Sequence, residues 1–207
     1  MFAKKMGFFH GLKSINGVIV YLTLSDIFVW GTTLVANPLL AIYLSSKFGG
    51  NTLEYIGIGT AIYYATRSLV QLPIGAITDR IKHDRDEIMF LVVGCALMAI
   101  PYFAYPYVTS GEQYFFLMGL GGFGASMNLN NWRKLFAKNL EKNHEGFEYG
   151  VYETVMSIST AIFGLLGGHF SSMSPHIFEM VISSVGLFVL LGGLMTGMLL
   201  RIKRKSA

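Results

Sequence analysis

Charge is scarce in this chain. Of its 207 residues only 14% are Asp, Glu, Lys or Arg, against roughly 25% in soluble globular domains, and mean hydropathy is positive. A soluble domain of this length does not need so much apolar material to fill its core. The one cysteine, Cys95, lies inside an apolar run, which excludes a disulfide framework and metal-type cysteine spacing. Also missing are an HExxH pair, a phosphate-cradling GxxxxGK[ST] loop and a Ser/His/Asp order. Neither an enzyme nor an ATP-driven machine has residues here to carry it, so no cofactor or metal is expected. The net charge is +4, but the bases form short clusters between apolar runs, which is the pattern of a membrane protein rather than of a nucleic-acid binder.

The chain opens with Lys4, Lys5 and Lys13 before an apolar run from Ile15 to Phe48. That run is too long for a signal-peptide core and is expected to be a retained first span. Hydropathy predicts six spans in one unit, at about 15–46, 53–78, 87–107, 113–137, 149–170 and 176–200. Each has the ~20 residues needed to cross ~30 Å of hydrocarbon. Lipid cannot satisfy open backbone groups, so each must be helical. The expected fold class is all-α, polytopic, with six transmembrane helices. Fourteen of the sixteen Lys and Arg residues fall at the N-terminus, after spans two and four, and in the tail. That bias places both termini in the cytoplasm.

Ionisable and amide side chains concentrate in spans one, two, four and five. Asp26 lies ~16 Å into span one, and Arg67 is about as deep in span two. A charge at mid-bilayer costs ~2.5–3.5 kcal/mol on insertion scales. Two readings stay open: a structural Asp26–Arg67 ion pair, or side chains on a water-filled substrate or proton path. Asp26, Trp30, Thr33 and Asn37 are spaced at steps of four, three and four, which puts them on one helical face. Pro38 then removes a backbone donor, and a kink is expected there. This face either walls a cavity or forms a polar seam between helices. In span four Asn128 is the deepest amide of a cluster that continues through Asn130 and Asn131 to Arg133. Span five carries Glu153 near its cytoplasmic end, a partner candidate for Arg133, and a GxxxG pair at Gly164 and Gly168. Tyr63 and Tyr64 lie deep in span two, where they pack in the core or meet substrate.

The stretch NPLLAIYLSSKFGG, together with RSLVQLPIGAITDR, resembles the amino-terminal half of a major facilitator superfamily transporter. Between helices two and three that family carries G-x-x-x-D-R-x-G-R. Gly75, Asp79 and Arg80 match it in type and spacing; Lys82 and His83 stand where the family has Gly and Arg, with Arg85 two residues on. Gly164, Gly167 and Gly168 lack the proline of the family's helix-five motif, and no basic residue lies within helix four.

The resemblance implies half of a major facilitator fold, a 3+3 inverted repeat that a second six-helix unit of the same orientation completes. Helices one and four would line the cavity, two and five flank the interface, and three and six lie outside. The implied activity is secondary transport of a small solute, with protons as a candidate coupling ion. The implied partner is a second copy of the chain, or another half-size chain. Substrate or coupling candidates are Asp26, Arg67, Trp30, Asn37 and Asn128. The cytoplasmic gate would be Gly75, Asp79, Arg80 and Arg85, with Arg133 and Glu153 as secondary gate candidates. The expected location is a prokaryotic cytoplasmic membrane. The alternatives are a membrane assembly subunit that does not transport, or one half of a twelve-helix transporter.

Overall fold

A computed structural model describes residues 15–80 and 84–201. The basic residues Lys4, Lys5, Lys13, Lys82, Lys203, Arg204 and Lys205, and His83 of the loop motif, lie outside the described residues. Among the described residues there is no strand, and helices cover all six expected stretches. The first stretch is α1 (Gly17–Asp26), a π-helical turn (Ile27–Gly31) and α2 (Thr32–Phe48). The others are α3 (Thr52–Arg80), α4 (Asp84–Ala104), α5 (Gly111–Asn139), α6 (Glu145–Ser171) and α7 (Pro175–Met198). By length and composition four stretches can cross a membrane: Gly17–Arg80, which holds α1 to α3, then Arg85–Tyr107, Glu145–Ser171 and Pro175–Met198. The helix α5 has the length but not the hydropathy, because glycine and amide side chains fill its centre.

The turns form where side chains can take up the free ends of the helices. Gly49 ends α2 at φ 56°, a conformation that glycine adopts without a Cβ clash. Ser110 and Ser174 cap α5 and α7, their hydroxyls accepting from Gln113 N and Ile177 N. The Gln113 side chain reaches back to Thr109 N at 2.9 Å, a reciprocal cap, and Pro175 opens α7 without losing a needed donor.

The helix α4, span three, is wedged between α5 and α7. The helix α6, span five, is the most exposed, which is compatible with the expected place of spans two and five at an interface. An apolar helix suits a protein interior as well as it suits lipid, so polarity alone does not set how closely α4 packs. Small residues decide it. A Cβ on Gly94 would lie 2.7 Å from Asn128 N and 2.8 Å from Gly124 O, so α4 and α5 cross backbone to backbone. Gly192 of α7 meets α1 in the same way, its carbonyl accepting from Ser25 Oγ at 2.8 Å. By contrast, the GxxxG pair of α6 makes no close approach: Gly164 is 3.9 Å from Val35 and Gly168 has nothing within 4 Å.

The first span bends away from expectation upstream of Pro38. The π-turn takes one extra residue into the helix, which shifts the phase by about 100° between Asp26 and the residues beyond the turn. Thr33 and Asn37 are therefore out of phase with Asp26, and Asp26 is absent from the cavity that Trp30, Thr33 and Asn37 line.

The glycine crossing predicts a substitution outcome. Gly94→Ala should lower stability by about 1–3 kcal/mol through overpacking. Gly146→Ala, with open space around it, should stay within about 0.5 kcal/mol. Thermal unfolding of the two variants in detergent compares them directly.

Candidate functional site

A cavity of about 470 Å³ opens between α2 and α3, with α4 and α5 behind it. Trp30, Thr33 and Asn37 line one wall, Tyr63, Tyr64 and Arg67 the other. Arg67 stands near the middle of the 29-residue α3. Its guanidinium carbon is 5.9 Å from the centre of the Tyr64 ring, within the range of a cation–π contact. Tyr64 is 56% exposed and Asn37 is also exposed, so the mouth lies along the open faces of α2 and α3. The depth of Tyr63 and Tyr64 thus serves the cavity as well as packing.

Asp26 is elsewhere. It is 1% exposed, and its Oδ2 accepts from the Tyr152 hydroxyl of α6 at 2.8 Å, while Oδ1 has no partner. No Asp26–Arg67 ion pair forms: the carboxylate meets Tyr152 of α6, and Asp26 does not line the cavity. Asn128 stands behind the cavity. It accepts from Trp30 Nε1 at 3.0 Å and donates to Cys95 Sγ at 3.2 Å, which fixes the indole against the cavity wall.

The helices α3 and α5 are stitched by a row of donors on α5 at steps of four. Ser126 Oγ donates to Arg67 O at 2.8 Å, Asn130 Nδ2 to Gln71 O at 2.7 Å, and Lys134 Nζ to Thr78 O at 2.8 Å. At the loop end this row becomes a charge cluster. Lys134 lies 3.0 Å from Asp79 and 2.9 Å from Glu87, and Lys138 lies 2.7 Å from Glu87. Glu87 is 1% exposed, and only ionic or hydrogen-bonding partners make such burial tolerable.

The sequence profile of the Major Facilitator Superfamily matches residues 22–207. The chain belongs to this superfamily. No curated protein and no solved structure matches it. Membership makes the chain an integral membrane transporter of the major facilitator type.

Of the superfamily's loop residues, Asp79 pairs with Lys134 rather than with Arg80 or Arg85, both of which are exposed. A Cβ on Gly75 would lie 3.8 Å from Asn130 Nδ2, so among the described residues nothing presses closely on it. Arg133 and Glu153 are exposed and make no ion pair with each other, since the buried face of α5 there is Asn131, Trp132 and Leu135. Sequence reasoning missed Glu87, Lys134, Lys138 and Tyr152. The spacing of Ser126, Asn130 and Lys134 at four-residue steps carried a signal, but the bases of this turn were counted only for orientation.

Lys134→Met removes the bridge between Asp79, Glu87 and the Thr78 carbonyl. It should cost about 2 kcal/mol, since a buried carboxylate loses a charged donor. Arg133→Met should change stability by less than about 0.5 kcal/mol. Denaturant midpoints of the two variants in detergent test the difference.

Proposed function

We propose that this chain is a secondary active transporter of a small solute, working by alternating access around the cavity at Arg67. The observation that carries this reading is a charged side chain at mid-helix on the wall of a cavity large enough for a small molecule. Charges at that depth are costly against lipid and mark substrate or ion pathways. Trp30 and Asn37 would contact the solute, and Asn128 would hold Trp30 in place. Asp26, buried against Tyr152 with one oxygen unpartnered, would be the coupling group, with protons as the coupled ion. The loop cluster of Asp79, Lys134 and Glu87 would hold the cytoplasmic ends of α3, α4 and α5 together during the cycle.

One six-helix unit gives one wall of a pathway. Major facilitator halves have the same orientation and are related by an axis along the membrane normal. A second copy inserted in parallel would supply the other wall, with the open faces of α2, α3 and α6 toward it. The location would be a prokaryotic cytoplasmic membrane with both termini inside, as the basic bias demands.

Two experiments test this reading. Tyr64→Cys places a thiol at the cavity mouth, and Cys95, fully buried, sets the background. A membrane-impermeant maleimide should label Tyr64→Cys in both right-side-out and inside-out vesicles. Labelling from one side only, under every condition, would sink alternating access. The protein mass of the solubilised particle should be that of two copies; one copy, or one copy with a different six-helix chain, would refute the homodimer.

A further inference from the structure

The charge balance of the cavity identifies the class of solute. Among the described residues Arg67 is the only charged one on the cavity lining, which holds no Asp or Glu. Among the described residues no carboxylate pairs with Arg67, and Asp26, the acid closest to it in depth, is committed to Tyr152. Arg67 is partly exposed in the cavity and has no counter-charge there, so its guanidinium is available to an anion. It presents a planar fork of donors that fits a carboxylate with two parallel hydrogen bonds. The rest of the wall is mainly aromatic and apolar, with Thr33, Asn37 and Thr60 among its polar side chains. Tyr63, Tyr64, Tyr102, Tyr105 and Tyr114 line it together with Met98 and Leu117, which suits a flat or apolar body.

We propose that the cavity between α2 and α3 binds a small organic monoanion, its carboxylate on Arg67 and its aromatic or apolar body among the tyrosines. One cation matches one negative charge; a dianion would leave a second charge in the cavity without a partner. This inference rests on the reading that the cavity is the transport site, and it adds what that site selects.

The test uses the solubilised full chain and four probes that share a ring and differ in charge: benzoate, benzylammonium, benzyl alcohol and phenyl phosphate, at equal concentration and ionic strength. Benzoate should raise the unfolding midpoint by about 3 °C, and each of the others by less than about 1 °C. Arg67→Gln should abolish the benzoate shift. Arg67→Lys keeps the charge but loses the fork, so it should at least halve the shift. The wild-type ranking stands as a test even where a variant folds poorly. The proposal fails if benzoate gives no shift, or if benzylammonium or benzyl alcohol matches it. It fails equally if phenyl phosphate exceeds benzoate, or if the benzoate shift survives in Arg67→Gln. Two-sided labelling of Tyr64→Cys without a benzoate response overturns the anion site and leaves alternating access standing. One-sided labelling with the benzoate response intact does the reverse.

Discussion

The backbone crossing of α4 and α5 at Gly94 and Gly124 is the constraint on which the rest depends. With no side chain at either position, the two helices meet at a distance that any Cβ would forbid. Asn128, one turn beyond Gly124, is thereby brought within hydrogen-bonding distance of Cys95 on one helix and Trp30 on another. In a membrane there is little hydrophobic drive between helices, so close packing of small residues and interhelical hydrogen bonds must hold them. Both are concentrated on α5. This explains why α5 is the least apolar of the long helices and still lies in the middle of the bundle.

The same helix divides two kinds of polar work. Toward α3, its donors bond backbone carbonyls at four-residue steps and lock two parallel helices in register. These bonds leave the Arg67 side chain free to face the cavity, because only its carbonyl is used. Toward the loop between α3 and α4, the row ends in lysines that gather Asp79 and Glu87. The superfamily's loop motif is therefore tied to its own bundle through Lys134, and Arg80 and Arg85 are exposed.

Separation of Asp26 from Arg67 has a functional meaning within the proposed reading. Two opposite charges at similar depth would cancel in a simple ion pair and leave nothing for a solute. In the fold the carboxylate is bonded to Tyr152 and the cation stands on the cavity wall.

Class and the order of helices were legible from one dimension. The hydropathy runs predicted helices at all six stretches to within a few residues, since length and apolar content alone decide what a bilayer accepts. The spacing of Gly75, Asp79 and Arg80 pointed to the superfamily. Trp30, Asn37 and Arg67 could be singled out because polar groups at depth are expensive wherever they point. The direction of each side chain was not legible. A regular helical repeat put Asp26 with Trp30, Thr33 and Asn37, and only the folded chain revealed the π-turn and the bond of Asp26 to Tyr152 outside the cavity. Which apolar helix sits inside was equally hidden, because lipid and protein interior reward the same residues; the choice fell to glycines whose close contacts exist only once two helices have met. The cation without a counter-ion, from which the solute class is inferred, is a property of the assembled cavity. The sequence contains acidic residues enough to pair with Arg67, and only the tertiary structure sends them elsewhere.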